Sequence, residues 1–137
     1  MAVIAPAVVV MTNATLKIGT TNNYETSVST AALVPTTPTN TFKGIGGNVI
    51  PLAGIPAWKL NLTYVQDGKT VNSLHQYLLT NAGTTQTFVL IPAVGTGNSS
   101  YTFSAVIVPG QIGGDVDALL TASVSLDVVG QPLPATL

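Results

Sequence analysis

Few side chains in this sequence have the chemistry to turn over a substrate or hold an ion, and His75 is the sole imidazole among them. A metal site built on it needs a carboxylate as its second ligand. Asp115 and Asp117 lie two apart in a glycine-rich stretch and suggest Ca²⁺, but the further oxygen donors that this ion requires do not accompany them. A Ser-His-Asp relay can be composed from Ser73, His75 and Asp67. Positions 73 and 75 do not share a face on a helix, however, and no nucleophile-elbow motif surrounds the serine. Gly44-Ile45-Gly46-Gly47 invites a nucleotide reading. A dinucleotide fingerprint would then need Gly where the chain has Val49, and a phosphate-binding loop would need Lys after the glycines. Neither condition holds. The residue types thus assign no catalytic group, no cofactor and no metal, and His75 reads as an exposed or partly packed helix histidine.

The elements available to position any site are mostly strands. Trp58, Leu60, Leu62 and Tyr64 alternate with Lys59, Asn61, Thr63 and Val65, the two-residue period of a half-buried strand. Near the C-terminus, Leu120, Ala122, Val124, Leu126 and Val128 make an oily face, while Leu119, Thr121, Ser123, Ser125 and Asp127 make a mostly hydroxylic one. Residues 88–91 and 101–108 supply two further strands. Residues 8–11, 15–18 and 24–34 read as strands separated by turns at 12–14 and 19–23. One helix is predicted over residues 73–81, with Leu74, Tyr77 and Leu78 as its apolar stripe, Asn72 as N-cap, and Asn81-Ala82-Gly83 to end it. An Asp67-Gly68 turn precedes it.

The chain has 137 residues, the size of one domain. Its apolar fraction of 46% is ordinary, but only 7% of its residues are charged, against roughly 25% in a typical soluble domain. A compact chain of this mass exposes about 6,700 Å², so its charges are spread at roughly one per 740 Å². Either Thr, Ser, Asn and Gln hydrate the outside instead, or much of the apparent surface is buried between subunits, where charges are costly to desolvate. The positive mean hydropathy of +0.49 favours the second reading. No stretch approaches the roughly 20 apolar residues of a membrane span. Residues 2–11 are apolar but short, interrupted by Pro6 and without the basic residues that begin a signal peptide, so they read as a strand with its lead-in. With no Cys, stability must come from packing. A net charge of −1 and the absence of Arg argue against a protein that grips nucleic acid. A conduit for DNA, by contrast, should avoid strong phosphate contacts.

The segment at about 35–57 holds four prolines and four glycines and reads as a long loop. Loops of that length are usually functional or disordered. Phe42, Ile45, Val49, Ile50 and Leu52 within it must pack on something, either a neighbouring subunit or the chain's own core. Residues 109–114 and a C-terminal tail at 130–137 pose the same question on a smaller scale.

The run Thr41-Phe42-Lys43-Gly44-Ile45-Gly46-Gly47, with a proline-containing link into Ala57-Trp58-Lys59-Leu60-Asn61-Leu62-Thr63-Tyr64-Val65-Gln66-Asp67, resembles the tail tube proteins of long-tailed bacteriophages. The segments C-terminal to it resemble them too, in the same order: Ser73-Leu74-His75-Gln76-Tyr77-Leu78-Leu79-Thr80-Asn81-Ala82-Gly83, a strand ending at Pro92, Val108-Pro109-Gly110-Gln111-Ile112-Gly113-Gly114, and a closing Ala-Ser-Val-rich strand. The likeness spans about residues 41–134, and the first forty residues match only as a β-rich start.

The resemblance implies a single, mainly β domain over residues 1–137, a two-sheet β-sandwich flanked by one short α-helix. It implies hexameric rings whose inner sheets join between subunits into a β-barrel, and rings stacked into a tube through which DNA passes without specific binding. Tape-measure and tail-initiating or tail-terminating proteins are the implied partners. The implied place is the virion, after synthesis in the bacterial host cytoplasm, and the implied role is structural, not enzymatic. On this reading Phe42, Gly44, Ile45, Gly46 and Gly47 carry a contact to a neighbouring subunit, and Thr121, Ser123 and Ser125 face the lumen. The alternative is a ligand-binding β-sandwich module of carbohydrate-binding or adhesin type. Such modules usually display aromatic platforms, and the one Trp here sits on a core-facing strand face.

Overall fold

The computed structural model describes residues 2–20 and 22–137. The protein is mainly β, with strands β1 (Thr15–Ile18), β2 (Asn22–Asn23), β3 (Val28–Thr36), β4 (Thr39–Lys43), β5 (Val49–Ala53) and β6 (Ala57–Val65), then helix α1 (Leu74–Thr80), then β7 (Thr85–Ile91), β8 (Ser99–Val106) and β9 (Thr121–Thr136). Seven strands form one sheet in the order β2-β1-β7-β8-β9-β6-β3, and β4 and β5 form a separate two-stranded sheet. Every pairing in both sheets is antiparallel.

The large sheet curls because β9 serves two neighbours in succession. Its first half, from Thr121 to Asp127, pairs with β6, and its second half, from Val128 to Thr136, pairs with β8. Between them the β8 register jumps from Ser104↔Val129 to Thr102↔Leu133. Extra residues on one strand of a pair bend and twist it, and Gly130, at φ 76°, takes the left-handed conformation such a bend requires. The curl turns the apolar faces of both halves onto one core. Leu60, Leu62 and Tyr64 of β6 register with Leu126, Val124 and Ala122 of β9. They meet Leu16, Ile18, Phe88, Leu90, Phe103 and Ala105 from the other half in a single buried cluster. The Phe88 and Phe103 rings stack at 5.5 Å.

Period-two alternation therefore places β1, β6, β7, β8 and the start of β9 as the sequence predicts. Three expectations are corrected. Residues 8–11 join no sheet among the described residues: the chain from 2 to 11 is exposed and forms no strand, and its apolar side chains, with no polar partners in alternation, have no core face to set a register. The segment at 35–57 is not an irregular loop but carries the β4–β5 hairpin. The tail at 130–137 continues β9 as far as Thr136, paired to β8. Pro132 and Pro134 are tolerated there because that half of β9 has a strand on one side only.

The helix and its cap each begin one residue later than predicted. Ser73, in an extended conformation, is the N-cap, and its Oγ accepts the Gln76 N–H at 3.3 Å. Asn72 instead takes a left-handed conformation at φ 61°. At the other end, Asn81 caps the last turn and Gly83, at φ 85°, reverses the chain into β7.

Candidate assembly surfaces

The residues that suggested catalysis or metal binding hold structural positions. Asp67 closes a turn, its Oδ1 accepting the N–H groups of Lys69 and Thr70 at 2.9 and 3.0 Å. Hydrogen bonds from the Thr70 side chain, then from the Thr70 and Lys69 backbone, hold its carboxyl below the usual value. Ser73 donates its hydroxyl proton to the Asp67 carbonyl at 2.6 Å, so that proton is committed to the backbone. His75 is buried at 8% exposure, not exposed or partly packed, because it faces inward from the helix with Leu74 and Leu78. Its ring lies 6.4 Å from that of Tyr64. Asp115 and Asp117 are both exposed, and the described residues hold no group of three or more potential metal ligands.

The hairpin projects its side chains into solvent. Every residue of β4 and β5 is exposed. Phe42 is 58% exposed, and Ile45, at the tip, is completely so. The turn explains two of its glycines without any neighbour. The Gly47 N–H bonds the Gly44 carbonyl and the Gly44 N–H bonds the Asn48 carbonyl, a three-residue turn that places its last member, Gly47, at φ 86°. At Gly44 a side chain would collide with the Asn48 amide, whereas at Gly46 it would make only an ordinary contact with that amide. The apolar residues at 42, 45, 49, 50 and 52 thus do not fold over the subunit's own core.

A second surface is the outer face of β3, β6 and the first half of β9. Thr121, Ser123 and Ser125 lie on it, all exposed. Ser123 and Thr63 share a hydrogen bond at 3.0 Å, Ser125 donates to Asn61 Oδ1 at 2.7 Å, and Lys59 meets Asp127 at 3.6 Å. The β6 and β9 part of the face is mostly hydroxyl- and amide-bearing, with Ala32, Val34 and Val65 as apolar members of the β3 side and end, and its one cation and one anion are matched to each other. Both of its flanks are open: β3 ends the sheet, and Thr121 to Asp127 has no strand partner among the described residues on the side away from β6.

The two ends of the core differ. At the Tyr64 end, α1 lays Leu74, His75 and Leu78 over the strands, all buried. Tyr24 donates its hydroxyl to the Asn72 carbonyl at 2.9 Å, and its ring lies 6.0 Å from that of Tyr77. Burial raises the phenol pKa of Tyr24, Tyr64 and Tyr77. At the Trp58 end nothing among the described residues closes the core. A groove of about 480 Å³ runs between β3 and the β7–β8–β9 half, walled by Leu33, Trp58, Leu90, Tyr101, Pro132 and Pro134. Trp58 Nε1 is buried there without an acceptor. Unlike the hairpin, this groove left no pattern in the sequence beyond the position of Trp58 at the start of an alternating strand, since it arises from what the fold fails to cover.

The chain exposes 9070 Å², roughly a third more than the ~6,700 Å² of a compact chain of this mass. The N-terminal segment and the hairpin account for much of the surplus apolar area: Val3, Ile4, Val8, Ile45 and Ile55 are each more than four-fifths exposed. No helix among the described residues is long and apolar enough to cross a membrane. No protein-family model matches the sequence, and no curated protein matches it.

Proposed function

We propose that the protein is a structural subunit that packs against copies of itself in stacked rings, forming the tail tube of a long-tailed bacteriophage. The observation that carries this reading is the three-stranded face of β3, β6 and the first half of β9, oily toward the core, mostly hydroxyl- and amide-bearing outside along β6 and β9, and open along both flanks. Unpaired strand edges are templates for further strands. Joining the β3 edge of one copy to the Thr121–Asp127 edge of the next is a head-to-tail contact, and a rotation that closes makes it a ring. In that ring the curled sheet acts as a two-layered β-sandwich whose inner sheets merge into one barrel, with Thr121, Ser123 and Ser125 toward the lumen. Such a wall suits DNA in transit, because it offers neutral hydroxyls and no array of cations to hold phosphates.

The hairpin serves the second contact, between rings. Phe42 and Ile45 supply the apolar area, and the Gly44–Gly47 turn holds them at the end of a stiff two-stranded arm. Phe42→Asp leaves the stability of the subunit unchanged within about 0.5 kcal/mol, since the position is exposed, and abolishes tube growth. Lys placed at Ser123 and Ser125 is protected from a bulky amine reagent in intact tubes and labelled in dissociated subunits. Labelling of both in intact tubes removes the lumen assignment.

Electron microscopy of the purified protein, with sedimentation over a range of concentrations, tests the whole reading. Hollow tubes or rings support it. A chain that stays single at high concentration with tail-assembly partners present ends it. A glycan-binding module is the competing reading, given Trp58 and Tyr101 in the groove. Against it, Gln131 is the only hydrogen-bonding amide among the groove's side chains, whereas sugar sites need several convergent polar groups.

A further inference from the structure

We infer that the N-terminal segment, residues 2–11, is a donor strand that adds to the free edge of β3 in a second copy and fills that copy's Trp58 groove. The inference rests on the proposed self-association and refines its ring joint: residues 2–11 stand between the β3 edge of one copy and the Thr121–Asp127 edge of the next, so that the two sheets join through the added strand. Five observations converge on it.

The segment Ala-Val-Ile-Ala-Pro-Ala-Val-Val-Val-Met has no polar side chain, and it is exposed along its whole length. Apolar area of that kind, held in water, marks an interaction site. Val8, Val9 and Val10 are β-branched and favour an extended strand, yet no described strand of their own subunit receives them. The groove has matching chemistry: it is apolar, lined by no charged residue, and half closed.

The groove is also bordered by a strand edge. Ala31, Ala32 and Leu33 all line it. Because successive side chains of a strand point to opposite faces, three in a row mean that the β3 backbone edge itself forms the rim. An added strand there hydrogen-bonds through its backbone and places alternate side chains in the cavity, the mode known as β-augmentation. Lengths agree: β3 has nine residues, and ten residues of extended chain span about 33 Å.

Trp58 Nε1 supplies the remaining observation. It is a buried donor with no acceptor, and a buried unmade hydrogen bond is costly. An incoming strand with wholly apolar side chains still offers carbonyl oxygens, which are what an indole N–H needs. The segment's root is fixed beside its own groove, where the Val94 N–H bonds the Asn13 carbonyl at 2.9 Å and Val9 borders a crevice with Pro92 and Tyr101. The same segment folding back into its own groove is therefore the outcome to separate from exchange.

The chain has no Cys and a single Trp, which makes both readouts clean. Full-length Val8→Cys, Val9→Cys and Val10→Cys variants are each mixed with a mass-tagged, full-length Ala31→Cys variant under mild oxidation. At least one mixture is expected to give the hetero-disulfide as its main product, with only traces when Ile112→Cys replaces the arm variant. Trp58 emission is expected to shift to the blue on assembly, and Val9→Asp to abolish the shift. No hetero-disulfide from any mixture, with tubes still seen by sedimentation and microscopy, overturns the strand exchange and leaves the tube reading standing. A Val9→Cys/Ala31→Cys double variant whose disulfide forms only within single chains, and never between them, overturns it as well. The hetero-disulfide in dimers or chains that never close into rings supports the exchange and removes the tube.

Discussion

The two ends of the core are built from the same strands and finished differently. At one end α1, drawn from the connection between β6 and β7, covers the strands with Leu74, His75 and Leu78. At the other, Leu33 is only partly buried and Trp58 holds an unanswered N–H over an open groove. A chain that can close one end of its core with seven residues of helix has not closed the other, and it carries an apolar segment at residues 2–11, outside any strand, nearby. The contrast separates what this chain needs in order to fold from what the proposed strand exchange would use.

The comparison breaks most sharply under truncation of matched side chains. Leu78→Ala at the closed end should cost about 2–5 kcal/mol, because a fully buried leucine leaves a cavity. Leu33→Ala at the open end should cost only about 1 kcal/mol in the dispersed subunit, since that side chain already meets solvent. Denaturant unfolding of both variants measures the difference, and equal losses would mean that the groove is closed in solution. A smaller effect is expected from Ser73→Ala, about 1 kcal/mol for the lost helix cap, read by the same titration.

The smallest effect depends on pH. Burial raises the phenol pKa of Tyr64, so the folded chain favours its neutral form. The stabilisation linked to this group is complete below the unfolded value of about 10 and is lost as pH rises through the higher folded value. Tyr64→Phe should match the parent at pH 7 within about 1 kcal/mol, since only a weak contact with the Gly110 backbone is lost at Tyr64 Oη. Above pH 10 the variant should be the more stable of the two, with the helix end as the site of the difference. Thermal melts across that range test the sign.

Strand alternation was legible wherever one face meets the core and the other meets water. The interleaving of Leu60, Leu62 and Tyr64 with Asn61 and Thr63 is the same information that sets their register against Leu126, Val124 and Ala122. The helix was legible from its leucine stripe, although its cap moved from Asn72 to Ser73 once the Asp67 turn fixed the approach. The hairpin was not, because Pro51 and the glycines around 44–47 mimic a loop, and neither strand has a core face to impose alternation. The end of β9 was hidden for a similar reason: two prolines argue against a strand unless one of its sides is known to be free. The apolar hairpin residues and the hydroxylic strand face could be found from composition alone. The groove could not, since a vacancy between distant segments has no local signature.

The long strand β9 belongs to both halves of the sheet, and at 16 residues it spans about 50 Å. A load applied along it is borne by the β6 ladder and the β8 ladder together, in shear, not by bonds opening one at a time from an end. Neither half can slide past the other without breaking a ladder on the strand they share. A chain wired in this way resists stretching along that direction, a property that the proposed tube wall would need.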